Sequence, residues 1–520
     1  MSTVTLLGTD PLPWNGARLA AQLVASGPAR PWQAVFAEDL IAELPTSTPA
    51  DVAAAAARAR GAQADWANRP LADRQQLLLD FHDAVLDRRD RFADLLQYEG
   101  GKARLAAVEE VLHLAMTARY YARTAREVLH PRRSGGMFPL LTRVDKGYVP
   151  RGLVGIIAPW NYPLSPTISD GLAALVAGNA LLLKPDLQTP YAALAAVDLL
   201  RQVGMPSDLW QVVYGPGEQV GGEVIDHVDY LCFTGSTATG RVVARRCADR
   251  LIGCSLELGG KNPLLVLDDA DVEQAADGAV RAAFSNAGQL CVSAERIFVA
   301  DRLQREFTTA LVARTRSLRL GRSLDFEHDM GSLVSSDQLQ RVAAQVDDAR
   351  AKGAQVLTGG RRRPDLGPLF YEPTVLTGVT EEMDCYAAET FGPVVSIYPV
   401  RSEAEAIERA NDSSYGLNAS VWTSDPVRGR RVAARIRCGT VNVNEAYGAT
   451  FGSISAPMGG MKSSGLGRRQ GPEGLRRFVE PQAIGTQSLI PLAPSFGISP
   501  QAFTIGVTAA LRVLRTLGRA

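Results

Sequence analysis

From Gly152 onward the chain sets short apolar runs between longer stretches of helical spacing. "LVGIIAP", "ALLLKP", "LWQVVYG" and "VDYLCFTG" are largely apolar at successive positions rather than at alternate ones. That is the pattern of strands buried on both faces, and each run is followed by a helix-like segment. The alternation predicts βαβ units and a parallel sheet, whose ligands bind beyond the carboxyl ends of the strands. A second series begins after Lys261, with "PLLVL", "RIFVA", "VVSIYPV" and "TVNVN" as its strands. The expected fold class is α/β.

The first part of the chain has a different texture. Thr48-Pro49-Ala50-Asp51 offers a cap residue, a Pro at the first helical position and an acid at the third, ahead of an Ala-rich helix. Helical spacing continues to about Leu129, broken once at Gly100-Gly101. "HPRRSGGMFPLLTRVDKGYVPRG" then carries Pro and Gly at both ends with extended residues between, and reads as a protruding hairpin or as a plain loop. Near the end, Ser499 and Pro500 start a helix that puts Phe503, Val507, Leu511 and Leu514 on one face and displaces Arg512, Arg515 and Arg519 from it. Subunit docking and membrane-surface contact are both open for that face.

Composition narrows the class. A length of 520 residues implies roughly two to four domains. Lys+Arg and Asp+Glu both total 55, so no global field recruits nucleic acid or an anionic surface. The expected partners are small molecules and other copies of the chain. The six Cys show no CxxC spacing, which suits reduced thiols and argues against a metal cage. The opening "MSTVTLLGTDPLPWNG" lacks a basic region followed by an apolar core. The longest near-apolar run, Gly171 to Leu183, is too short to span a bilayer and contains Asn179. A cytoplasmic protein is expected.

Several residues then stand out as chemistry. The strand "VDYLCF" runs into Thr234-Gly235-Ser236-Thr237-Ala238-Thr239-Gly240, a glycine-bearing turn before a helix, where backbone N–H groups can approach a phosphate. It lacks the full GxGxxG spacing and the Lys of a Walker loop, so a purely structural turn is equally open. Lys184 closes "ALLLK", where a cation can pair with a ribose or phosphate; a solvated Lys is the plainer reading. Glu257 in "LELGGK" is a carboxylate among apolar residues, and burial would raise its pKa towards that of a general base; capping or an ion pair is the alternative. Cys291 in "FSNAGQLCVS" reads on its own as a packed small thiol before it reads as a nucleophile. No His lies near it in sequence.

Taken together, "PWNYP", "KPDLQTP", "FTGSTATG", "LELGGKNP", "FSNAGQLC", "ETFGPV", "NVN" and "PMGGMKSSGLGR" resemble the aldehyde dehydrogenase superfamily, in its order, from about residue 50 to 490. The resemblance implies that Cys291 is the thiol that attacks an aldehyde, that Asn161 supplies an oxyanion donor, and that Glu257 is the base. It further implies a nicotinamide cofactor held by Trp160 and Lys184 near the adenosine ribose, by Gly235, Ser236 and Gly240 around the pyrophosphate, and by Glu389 with Phe391 at the nicotinamide ribose and ring. No metal is implied. A non-catalytic relative would be expected to have lost Cys291 or Glu257, and both are present.

"KPDLQTP" departs from the common "KPxEQTP": Leu187 stands where NAD-preferring relatives keep a ribose-binding Glu. Without that carboxylate a 2′-phosphate meets less repulsion, so NADP is expected, with NAD possible and with Asp186 able to restore an acid. "SNAGQLC", "DLGPLFYEPTVLTGV" and "GPEGL" resemble the actinobacterial-type enzymes named succinate-semialdehyde dehydrogenases. Enzymes of that name place two substrate-binding arginines where this chain carries Ser169 and Ser285, which leaves uncharged aliphatic or aromatic aldehydes as the alternative substrates. The fold implied is a Rossmann-type cofactor domain (1–130 and 152–257), an α/β catalytic domain (258–455), oligomerisation strands (131–151 and 476–495) and a helical extension (496–520), in a homodimer or homotetramer.

Overall fold

The computed structural model describes residues 14–36, 42–137, 141–489 and 491–516. Four of the apolar runs before Leu258 form strands of one six-stranded sheet. In order its strands are Gly465–Leu466, Gly253–Glu257, Tyr230–Thr234, Leu153–Ile157, Ala180–Lys184 and Trp210–Val212. All pairs are parallel except the short return strand Gly465–Leu466. The strands Leu153–Ile157 and Ala180–Lys184 are buried at every position, because helices cover both faces. The helices before residue 130 pack into the same core: Thr48 and Asp51 form a capping box on Pro49–Asn68, and Gly101 ends Arg89–Gly100 in the left-handed region at φ 71°.

The second series builds a seven-stranded sheet with its own core. Its order is Gln355–Thr358, Thr374–Thr377, Val394–Val400, Ala294–Ala300, Asn262–Val266, Asn418–Trp422 and Thr440–Val443, parallel apart from the first strand. The chain passes from one sheet to the other between Glu257 and Asn262, through Leu258-Gly259-Gly260-Lys261. Gly260 is held against backbone, while a side chain at Gly259 would have to push the Glu389 carboxylate aside. A Cβ on Gly259 would lie 2.2 Å from Glu389 Oε2, and one on Gly260 would lie 2.8 Å from the Cys291 carbonyl.

The "HPRRSGG…" stretch is a hairpin rather than a plain loop: Arg132–Ser134 pairs antiparallel with Thr142–Pro150, and Val479–Gln487 adds on the other side, with Gly485 opposite Val144. The hairpin tip, residues 138–140, lies outside the described residues. The added strand begins at Val479, because Gly471–Arg476 is a short helix. The helix expected from Ser499 is present as Pro500–Thr516, and the Ser499 hydroxyl accepts from Ala502 N at 3.2 Å. Arg519 is beyond the described residues. Among those described, no helix is long and apolar enough to cross a membrane.

Candidate active site

A cleft of about 410 Å³ runs between the two sheets, past the carboxyl end of Tyr230–Thr234 and the joint at Leu258-Gly259. Cys291, Glu257, Asn161, Trp160, Lys184, Gly235, Ser236, Glu389 and Phe391 all line it. Gly240 does not. Its place is in the helix Thr237–Asp249, where an added Cβ would lie 2.5 Å from Leu258, so it serves the packing of helix on joint.

Cys291 is presented by an unusual turn. Asn286, Ala287 and Gly288 are all left-handed, at φ 51°, 53° and 69°. Strain of that kind needs fixed surroundings, and here Asn286 Nδ2 donates to Gln289 O at 3.0 Å while Gln289 Oε1 accepts from Val334 N at 3.0 Å. Asn262 Nδ2 holds the Cys291 carbonyl at 2.8 Å. The thiol is free and partly open to the cleft. Burial, and next the charge of Glu257, push its pKa up to about 12. A neutral thiol therefore dominates at neutral pH, and a neighbouring base must take its proton before it attacks.

Glu257 is buried at the end of its strand, with Oε1 lacking a hydrogen-bond partner. Burial raises its pKa to about 7; Arg469 and Arg477 hold it down from going higher. Arg469 Nε lies 4.0 Å from Glu257 Oε1 and is itself unpartnered. Its Nη2 donates to Asp170 Oδ2 at 3.2 Å and to Thr234 Oγ1 at 3.1 Å. Asp170 also pairs closely with Arg477, which in turn donates to Ser255 Oγ at 2.9 Å. Of the alternatives that the sequence left open, the ion pair is present: Glu257 faces Arg469 at 4.0 Å as a salt bridge, with no hydrogen bond at Oε1.

Asn161 lies on the opposite wall. One amide N–H donates to Gln289 O at 3.0 Å, which leaves the second for an oxygen in the cleft. At the far end Gln470 Nε2 donates to His113 Nε2 at 2.9 Å. The other ring nitrogen, Nδ1, then carries the proton and donates to Ser165 Oγ at 2.7 Å. Burial takes the His113 pKa down to about 3, so the ring is neutral.

The residues expected to hold a cofactor fit one. Ser236 caps the helix Thr237–Asp249, accepting from Thr239 N at 3.2 Å, and the helix N-terminus faces the cleft as an anion site. Lys184 is buried and its Nζ donates only to Pro185 O among the described bonds, at 3.2 Å, so further N–H groups are available for ribose oxygens. Glu389 accepts from Gly260 N at 2.7 Å, and burial raises its pKa to about 7. Phe391 packs edge-on to Trp160, with ring centroids 5.4 Å apart. The turn that carries both is built by buried Glu295, which accepts from Thr390 N and Phe391 N and pairs with Lys261 at 2.5 Å.

Two expectations need adjustment. Asp186 does line the cleft beside Leu187, with its carboxylate accepting from Gln188 N at 2.9 Å, so an acid stands near the ribose end. Arg30 and Arg341 line the adjoining cleft and add positive charge there. Ser169 is buried with no partner for Oγ, and Ser285 lies beside Tyr447. Arg281, stacked over that Tyr447 ring, is already paired with Glu445 at 3.0 Å and does not line the cleft. Sequence reasoning missed Arg469 and Asp170. Each follows a quoted motif, but nothing local marks a surface arginine from one folded against a distant carboxylate.

The model of the aldehyde dehydrogenase family matches residues 32–484. The chain belongs to the aldehyde dehydrogenase family. A Mycolicibacterium smegmatis relative named "Putative succinate-semialdehyde dehydrogenase", with NADP(+) given in its name, is 52% identical over 94% of this chain and 95% of its own. A Sinorhizobium fredii protein of similar name is 37% identical over 85% and 89%. Among solved structures, the NAD+ complex of a Bacillus cereus aldehyde dehydrogenase superposes with a TM-score of 0.84 at 34% identity, covering 89% of this chain and 94% of that one. A Staphylococcus aureus betaine aldehyde dehydrogenase in complex with NAD+ gives 0.85 at 32%, covering 90% and 94%. This aldehyde dehydrogenase accordingly has the family's α/β fold, and its chemistry is oxidation of an aldehyde with a nicotinamide cofactor.

Proposed function

We propose that this aldehyde dehydrogenase oxidises succinate semialdehyde to succinate with NADP. The observation that carries the reaction is the one cleft lined together by the Cys291 thiol, the Asn161 amide and the Glu257 carboxylate, whose Oε1 accepts no hydrogen bond. Glu257 takes the thiol proton as sulfur bonds to the aldehyde carbon. The Asn161 N–H and the Cys291 backbone N–H hold the resulting oxyanion. Trp160, Lys184, Gly235, Ser236, Glu389 and Phe391, with Gly240 behind them, would hold a nicotinamide cofactor, which when bound would supply the hydride acceptor that lets the Cys291 adduct become a thioester. Glu257 gives up that first proton to solvent, then removes a proton from water as the water oxygen bonds to the carbonyl carbon, and the C–S bond breaks with sulfur taking the proton back from Glu257 to return the Cys291 thiol. No metal has a part in these steps.

The relatives' names support the substrate and NADP. Leu187 in place of an acid, with Lys184, Arg30 and Arg341 around the same cleft, supports NADP as well. A second reading, uncharged aliphatic or aromatic aldehydes, is favoured by Ser169 and Ser285 at the carboxylate-binding places and by the apolar wall of Tyr162, Leu290, Phe451 and Met458. We assign the cofactor domain to 1–130 and 152–257, the catalytic domain to 258–455, the oligomerisation strands to 131–151 and 476–495, and a cytoplasmic homodimer or homotetramer as the working form. The exposed strand Val479–Gln487, at the end of its three-stranded sheet among the described residues, supports the assembly. The test is kcat/KM for succinic semialdehyde, hexanal and benzaldehyde, each with NADP and NAD. A preference for the semialdehyde with NADP is expected; a preference for the uncharged aldehydes overturns the substrate.

A further inference from the structure

The strand Val479–Gln487 leads into a segment that the active site does not use. Leu489 and Phe496 there are 86% and 81% exposed, followed by the helix Pro500–Thr516, which has no buried residue. At 3.6 residues per turn, Phe503, Val507, Leu511 and Leu514 fall along one side of that helix, while Thr504, Thr508, Arg512 and Arg515 fall along the other. Every charge from Pro481 to Ala520 is an arginine; no Asp or Glu occurs there. Leu511 is 55% exposed, Phe503, Val507 and Leu514 are half-buried, and Ile505 and Val513 beside the stripe are 66% and 56% exposed; apolar surface left this open to water marks a binding surface.

We propose that the helix Pro500–Thr516 docks in the plane of an anionic lipid surface. Its apolar side enters the headgroup boundary and Arg512 and Arg515 meet the lipid phosphates. Charge favours this occupant over a second copy of the same helix. The same segment of a second copy would offer an apolar stripe but no acid to meet Arg512 and Arg515, whereas an anionic surface complements both the stripe and the arginines. The helix is about 26 Å long, shorter than the ~30 Å hydrocarbon core, and carries two arginines, so it lies on a bilayer and does not cross it. The anchor sits at the end of the three-stranded arm, where Gln487 pairs with Thr142, away from Cys291 in sequence and in sheet.

The experiment is co-sedimentation of the full chain with phosphatidylcholine vesicles, with and without phosphatidylglycerol, at low and high salt. Binding is expected with phosphatidylglycerol, and is expected to weaken with salt and to be lost in Phe503→Asp. With two cations removed, the double variant Arg512→Gln/Arg515→Gln is expected to partition roughly thirty-fold more weakly. Turnover and melting temperature should be unchanged in both variants, which separates docking from misfolding. Three results overturn the proposal: the wild type stays in solution with phosphatidylglycerol vesicles, the arginine double variant binds like the wild type, or Phe503→Asp lowers the particle mass by light scattering while no vesicle binding occurs. The last assigns the face to a second copy.

Discussion

Replacing Arg469 by Gln tests how the proposed base is tuned. Glu257 has no hydrogen bond at Oε1, so its charge state rests on burial, which raises its pKa, and on the charges around it. Arg469, Arg477 and Arg468 lower it, and Asp170 raises it. Arg469 is the cation at 4.0 Å. Two unit charges at that separation interact by about 4 kcal/mol at an effective dielectric of about 20, an upper figure of about three pH units at ~1.4 kcal/mol each. Water and Arg477 relaxing towards the vacated space take part of this back, so a rise of at least about one unit is expected. The sign follows from the role. A base works deprotonated, so kcat/KM rises with pH through about 7 in the parent and flattens above it. Without Arg469 the same limb shifts upward by a unit or more, costing at least about fivefold at pH 7 and little at high pH. Arg469→Lys should restore most of the lost ground. The assay is the pH profile of kcat/KM, with cofactor binding and melting temperature as checks on folding. A folded Arg469→Gln variant with an unmoved acidic limb refutes the argument, since it would show that Arg469 only props up Asp170.

Other expectations follow from the same geometry. Cys291→Ser should abolish dehydrogenase turnover while cofactor affinity, measured by fluorescence titration, stays within a few-fold; near-normal turnover sinks the nucleophile assignment. Leu187→Glu adds a second acid beside Asp186, and the NADP/NAD ratio of kcat/KM should fall at least tenfold; an unchanged ratio means that Arg30 and Arg341 set the preference instead. Gly259→Ala drives a methyl group to 2.2 Å from Glu389 Oε2 and should displace that carboxylate, raising KM for the cofactor more than it changes the melting temperature. Equal KM values would show that Glu389 does not bear on the cofactor.

Local pattern determined much of this protein before any contact was known. Strands buried on both faces must be apolar at successive positions, so eight runs from "LVGIIAP" to "TVNVN" were legible, and all eight are strands. Thr48 with Asp51, and Ser499 with Pro500, mark helix starts because caps act within four residues. The motifs named Cys291, Glu257, Asn161, Trp160, Lys184, Gly235, Ser236, Glu389 and Phe391, which the fold brings to one cleft, and Gly240, which does not line it. What only the tertiary structure decided is which distant groups face one another. Arg469 comes to Glu257 just after the return strand Gly465–Leu466 that pairs with the strand of Glu257, Asp170 comes from the helix Ser165–Val176, and Glu295 builds the turn under Glu389 and Phe391. That Glu257 has Arg469 as its ion-pair partner at 4.0 Å was likewise fixed by packing, since the two are far apart in sequence. Burial and Coulomb interactions depend on distance through space, and sequence spacing records that distance only within a helix turn or along a strand.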